Sequence, residues 1–285
     1  MTRMERDRIE PQGQSVRTGH GKKGNHPMKW AVEAEEAMAR VPFFVRRRVR
    51  KRVEEEVARR GAPVVLLQHV QDCQRRYLND MENEVQGFQV ETCFGSGGCP
   101  NRASAAENMA EKLEALLRGK NLRDFLLRTV SGPLKLHHEF RVSVSDCPNG
   151  CSRPQIADVG ILGACRPTIG EGECTHCEAC VEVCREGAIS LDVERGPLLD
   201  PSKCLLCGHC IRQCTRNVLV KGVQGFRIQL GGKLGRHPQL GRELDGIHSP
   251  EETLRIVERC IDFHMKHCEA GERFGEVLNR FPIDL

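Results

Sequence analysis

Residues 145–163 read SDCPNGCSRPQIADVGILG. Two cysteines, Cys147 and Cys151, flank a Pro-Asn-Gly bend in which proline pre-sets one backbone angle and the Asn149-Gly150 pair accepts left-handed angles cheaply. Such a loop is stiff and aims both sulfurs one way, which suits a multivalent bound group. The residues leading into it, EFRVSVSDC at 139–147, alternate with the two-residue period of a strand. The cysteine pair therefore sits at a strand end.

Upstream, NEVQGFQVETC alternates in the same way and runs into ETCFGSGGCPNR, which carries Cys93 and Cys99. The stretch SAAENMAEKLEALLRG at 104–119 predicts a helix, with Ser104 as its cap and Glu107 at capping-box spacing. Strand and helix patterns return after residue 222, in GFRIQLGGKLG and SPEETLRIVERCIDFHMKHC. The order of patterns predicts an α+β fold interrupted by a cysteine-dense insertion at 166–222.

Within that insertion, Cys174, Cys177, Cys180 and Cys184 form CxxCxxCxxxC, and Cys204, Cys207, Cys210 and Cys214 repeat it thirty residues later. Three closely spaced thiols can cap one face of a cubane cluster while the fourth reaches a neighbouring cluster. The unit resembles a bacterial two-cluster ferredoxin. That resemblance implies one 4Fe-4S cluster on Cys174, Cys177, Cys180 and Cys214, and another on Cys204, Cys207, Cys210 and Cys184. The short apolar runs GAISLDV and NVLV follow the two motifs as in ferredoxins, although Arg185 and Thr215 stand where a proline is usual. Two zinc sites would also use eight thiols, but the triplet spacing is wrong for them.

The bulk numbers set limits. With 285 residues the chain can form one large or two modest cores. Aromatic residues are only 4%, which leaves room for bound cofactors in the interior. No apolar stretch reads as a signal peptide or a membrane span, and the expected location is cytoplasmic. Sixteen cysteines there read as metal ligands before disulfides. A net charge of +4 with interleaved signs argues against nucleic acid as a partner.

The amino-terminal part separates into a polar tail at 1–28, expected to be disordered, and a helical domain at 29–80. In FFVRRRVRKRVEEEVARRG, valines 45, 49, 53 and 57 recur every four residues, Arg50, Lys51 and Arg52 each precede a glutamate by four, and Gly61 ends the helix. A second helix follows through VVLLQHVQDCQRRYLNDM. Residues 30–61 resemble the small helical domain at the carboxyl end of a light-independent protochlorophyllide reductase subunit. On that analogy Phe43 and Phe44 could cover a tetrapyrrole edge; ordinary core packing is the plainer reading of both.

Cys93 and Cys99 in a CxxxxxC pair, followed by Cys147 and Cys151 in CxxxC, resemble the sulfite and nitrite reductase family. The likeness extends through SDCPNGCSRPQIADVGILG, FRIQLGGKLGRHPQLGREL and GERFGEVLNR, over roughly residues 86 to 285. It implies a siroheme/4Fe-4S domain formed by 81–165 and 223–285, interrupted at 166–222 by the ferredoxin-like module. Cys93, Cys99, Cys147 and Cys151 would hold a third 4Fe-4S cluster, with the Cys151 sulfur bridging to siroheme iron. Arg102 and Asn149 join Cys151 as the expected cofactor-binding residues.

The implied activity is reduction of sulfite or a related small oxyanion such as nitrite in an anaerobic setting, with electrons from a donor protein. Two departures stand out. The basic half that precedes the first cysteine pair in full-length relatives is missing, so a partner subunit or a second copy of the chain would supply it. Where relatives place two lysines before the CxxxC strand, this chain has Glu139 and Arg141. The remaining candidates for anion contact or proton delivery are Lys135, His137, His138 and Arg141, with Arg102 and Arg153 beside the cysteines. A non-catalytic electron-transfer subunit is the alternative reading. Cys73, Cys165, Cys260 and Cys268 match no ligand spacing, although His264 and His267 beside the last two give a helical zinc pattern.

Overall fold

The computed structural model describes residues 28–103 and 108–285. The expected Ser104–Glu107 capping box and nearly all of the expected tail lie outside them. The chain divides into two compact units, Met1–Arg75 and Arg76–Leu285.

In the first unit a short strand β1 (Lys29–Trp30) leads to helices α1 (Val32–Ala39) and α2 (Phe43–Arg59). Strand β2 (Val64–Val65) pairs parallel with β1, and α3 (Leu67–Glu84) begins immediately after it. The valine spacing does what it predicts: Val53 and Val57 are buried with Ala34, Met38, Val65, Val70 and Cys73. Gly61 takes a φ of +69° after the last turn of α2, so the helix stops where a left-handed residue is cheapest. On the outer face Arg50 pairs with Glu54 at 3.5 Å and with Glu35, and its guanidinium lies over the Trp30 ring at 4.5 Å. Phe43 and Phe44 are not core residues: they are 83% and 75% exposed, edge to face at the start of α2.

The second unit is built on a five-stranded sheet in the order β3-β4-β5-β8-β9. Strand β3 (Phe88–Thr92) is followed by helices α4 (Met109–Arg118) and α5 (Leu122–Thr129), and then by β4 (Phe140–Ser145) parallel to it. Strand β5 (Val159–Ile169) is parallel to β4. The chain then leaves the sheet through α6 (Ala179–Glu182), the hairpin β6 (Ile189–Asp192) and β7 (Gly196–Leu199), and α7 (His209–Gln213). It returns along β8 (Leu219–Leu230), antiparallel to β5, and finishes with β9 (Arg242–Glu243), α8 (Pro250–His267) and α9 (Phe274–Arg280). The β5–β8 pairing continues to Ile169 and Leu219, so the excursion from the sheet spans 170–218, inside the wider sequence boundaries.

Strand alternation gives the sheet two unlike faces. Phe140, Val142, Val144, Val159, Ile161, Phe226, Ile228 and Leu230 turn to one side and pack with Met109, Leu113 and Leu117 of α4, Val257 and Ile261 of α8, and Phe274. Each fully buried side chain of this kind contributes about 1.5–3 kcal/mol. Ser249 and Glu252 cap α8 reciprocally, at 3.1 and 2.8 Å. The other face carries Gln89 and Glu91 of β3 beside Arg141 and Ser143 of β4, by register. Across the sheet's lower end Arg273 grips the buried Asp158 carboxylate at 3.2 and 2.6 Å, while Arg141 N–H donates to the same carboxylate at 2.8 Å.

Candidate metal centre

Cys93 and Cys147 lie just past the carboxyl ends of neighbouring parallel strands, since Thr92 is in register with Val144. That end of a parallel pair is where open α/β sheets place their ligands. Cys93 N–H donates to Val144 O at 3.0 Å, and the Cys93 sulfur accepts N–H bonds from Gly95 and Asp146, both 3.3 Å. Burial pushes the Cys147 thiol up; the Asn149 N–H opposes this, while the neighbouring Cys151, Cys93 and Cys99 sulfurs reinforce it. The other three thiols are each within electrostatic reach of Cys147. Cys147 is buried and Cys151 exposed.

After the CPNGC bend the chain folds back over the polar face of the sheet. Ser152 pins it there. Ser143 Oγ donates to Ser152 O at 2.7 Å, Ser152 Oγ donates to Val144 O at 2.8 Å, and the Ser145 and Ser152 hydroxyls meet at 2.7 Å. The loop lies so close that a Cβ on Gly160 would come within 2.2 Å of Pro154 O. Arg153, next to Cys151, holds a φ of +60°, a costly value for a residue with a long side chain and one concentrated at functional sites.

The excursion holds two further thiol sets, and each surrounds its own cavity. One, about 130 Å³, is lined by Cys184, Cys204, Cys207 and Cys210; the other, about 30 Å³, by Cys174, Cys177, Cys180 and Cys214. The fourth thiol of each motif has crossed to the other set. Left-handed residues recur at the same offsets in both motifs: His176 and Leu206, Glu178 and Gly208, Gly187 and Asn217. Those angles turn backbone N–H groups toward sulfur, as in His176 to Cys174 at 3.4 Å, Ala188 to Cys184 at 3.3 Å and Leu219 to Cys214 at 3.4 Å. Burial would raise the Cys214 thiol, but the N–H groups of Leu219, Arg216, Val218 and Asn217 outweigh it and bring it below the ordinary range. Cys210 is pushed up to about 12 by burial and by its neighbours Cys207, Cys204 and Cys184.

Among the described residues no three His, Cys, Asp or Glu side chains close on a point as the ligands of one metal ion would. Each of the two excursion sets encloses a gap instead, and such a donor set fits a cube of iron and sulfide. Cys260, His264, His267 and Cys268 do not converge: His264 sits among Phe125, Phe140 and Phe274, and His267 packs on Phe263 and Phe281.

The other sequence candidates divide by position. Arg102 is paired with Asp146 at 3.2 Å beside the Cys147 loop, and Asn149 lines the larger cavity. Arg141 and Arg153 come together on Glu91, Arg153 at 4.0 Å. Lys135 and His138 lie before β4, at its opposite end from Cys147, roughly 20 Å of strand away. His138 Nδ1 accepts the Lys135 N–H at 3.1 Å, and burial with nearby His137, Lys135 and Arg273 lowers its pKa. Glu139 lies at the edge of the sheet's polar face, beside Gln89 and Arg141. Its buried carboxylate accepts the Gln86 and Gly87 N–H groups at 2.7 and 3.2 Å and so fastens the start of β3. Glu91, Ser152 and Asp158 are the important residues that sequence reasoning passed over; the SVS alternation of β4 was the available signal for the serine clamp.

With two four-thiol cavities in the excursion and four more cysteines on the loops at the end of the sheet, the chain has the build of an iron–sulfur redox protein. It belongs to the family described as the nitrite and sulphite reductase 4Fe-4S domain, whose model matches residues 87–284. Residues 30–74 match the model of the proto-chlorophyllide reductase 57 kD subunit. The chain is 32% identical over 145 residues to the coenzyme F420-dependent sulfite reductase of Methanocaldococcus jannaschii, covering 50% of this chain and 23% of that protein. It is 26% identical over 120 residues to one subunit of the anaerobic sulfite reductase of Salmonella typhimurium, covering 42% and 29%. The crystal structure of dissimilatory sulfite reductase I matches with a TM-score of 0.46 at 18% identity, over 76% of this chain and 56% of that one. The chain thus spans less than a third of the length of these two curated relatives. Among the described residues no helix is long and apolar enough to cross a membrane.

Proposed function

We propose that this chain is the iron–sulfur part of a reductase for sulfite or a related small oxyanion such as nitrite. Three 4Fe-4S clusters would be held by the sets Cys174/177/180/214, Cys184/204/207/210 and Cys93/99/147/151, with siroheme against Cys151. The crossed lining of the two excursion cavities carries this reading, because it reproduces the ligand exchange that the sequence spacing implies. Clusters so bound supply one-electron carriers, and siroheme an iron that binds the anion. The protein supplies the fixed thiols, the N–H donors on their sulfurs and the serine clamp that fixes the loop carrying Cys151. The exposed Cys151 thiol would be the one that meets the macrocycle.

On the polar side of the sheet Arg153 and Arg141 are the cations placed to meet a small anion, and a partner subunit or second copy would supply the opposite wall. The module 166–222 would pass electrons inward from a donor protein. Viologen-driven consumption of sulfite or nitrite by anaerobically purified protein, with iron and siroheme counted per chain, tests the proposal. The engagement of both Arg141 and Arg153 by Glu91 favours a second reading, an electron-transfer subunit without its own anion site. Full iron content with neither pigment nor turnover would select it.

A further inference from the structure

The two four-thiol cavities of the excursion differ in what else surrounds them. The Cys174 set is walled only by the excursion and the adjoining first residue of β8, Leu219. The Cys184 set is also lined by Asn101, Pro148 and Asn149. These three come from the two loops that carry Cys99, Cys147 and Cys151. The same contact is tied by backbone and side chains: Cys165 N–H donates to Leu206 O at 2.7 Å, and Arg212 donates to Arg102 O at 3.1 Å.

At the centre of this seam lies Cys165, buried and outside all three thiol sets. It packs with Ala103 and Cys147 from the loops at the sheet's end and with Ile211 of the excursion, and its backbone forms a β-bridge with that of Cys207. A Cβ on Gly208 would stand 3.2 Å from the Cys165 Cβ and 3.4 Å from its sulfur, so the loop between Cys207 and Cys210 is already in contact with it. Gln224, directly across from Cys165 in the β5–β8 register, reaches Ala103 O at 3.4 Å.

Resting on the reading that these sets hold clusters, we propose an order. Electrons enter at the Cys174 set and leave through the Cys184 set, and Cys165 is the positioning residue that fixes the gap from there to the Cys147 site. In the outgoing step one electron would pass from a cluster held by Cys184/204/207/210 to one held by Cys93/99/147/151. No bond or proton moves in that step. The reductant is external: dithionite in the test, a donor protein in use.

The test is electron paramagnetic resonance of the full chain, purified anaerobically and reduced with dithionite. Iron content is measured first, since a value well below about twelve atoms per chain overturns the underlying reading and not the order. With iron present, magnetic interaction on the Cys147-site signal should vanish in Cys204→Ser/Cys207→Ser and persist in Cys174→Ser/Cys177→Ser. Loss only in the second variant, or persistence in the first, overturns the order. Cys165→Leu keeps all twelve ligands. It should leave iron unchanged and weaken the interaction at least severalfold, and an unaltered splitting at full iron content overturns the role of Cys165.

Discussion

Replacing Ser152 by alanine removes one hydroxyl from a closed arrangement, and the cost can be worked from its partners. The Ser152 hydroxyl donates to Val144 O at 2.8 Å and meets the Ser145 hydroxyl at 2.7 Å, with Ser145 fully buried. Both partners lose a bond and no water can replace it without opening the loop. At about 1 kcal/mol for each lost bond, Ser152→Ala should destabilise the contact between the 147–156 loop and β4 by about 2 kcal/mol. The single tryptophan, Trp30, lies in the first unit and does not report on this contact. Amide hydrogen exchange does: about 2 kcal/mol corresponds to exchange about thirtyfold faster at β4 and β5 amides. Ser143→Ala removes only the 2.7 Å bond to Ser152 O, so its effect should be about fivefold. Exchange within about a factor of two of the parent protein in Ser152→Ala would refute the clamp.

Four other outcomes are expected. Cys151→Ser should lower iron by about four atoms per chain and spare the sites of the excursion, as read by iron analysis and magnetic resonance. Asp158→Ala leaves Arg273 without its buried carboxylate and should cost about 3 kcal/mol in denaturant unfolding followed by circular dichroism, with a smaller loss for Asp158→Asn. Burial raises the Glu139 carboxyl above its ordinary range, with the Gln86 and Gly87 N–H groups opposing. Its folded form therefore resists ionisation, and stability falls as pH rises through the ordinary carboxylate range. Glu139→Gln should accordingly stabilise the protein at neutral pH, and the gain should disappear in acid. Glu91→Gln releases Arg141 and Arg153; if the anion binds there, KM for sulfite should fall about two- to tenfold, and an unchanged or higher KM would count against that site.

The cysteine framework was legible because ligand spacing is written in the chain: triplets with two residues between neighbours and a fourth thiol four positions on leave few geometries. Strand β4 was legible from its alternation, and the end of α2 from Gly61. The angles that shape the cysteine loops were not, because His176, Leu206 and Glu178 adopt left-handed backbone without being glycine. The partners of Glu139 were hidden for a related reason. A carboxylate before a strand says nothing about which way it turns, and only the crossing at Gln86 and Gly87 gives it its partners. Glu91 was invisible in the same sense, since its pairing with Arg141 and Arg153 depends on parallel register between strands about fifty residues apart.

The thirty-residue recurrence of turns and thiols has a consequence for how the excursion comes together. Each half owns three sulfurs of one nest and the odd sulfur of its twin, so neither half alone can complete a nest. Severing or scrambling one half should disable both at once. A peptide with a single half would need a second molecule like itself, head against tail, before any four-sulfur nest could close.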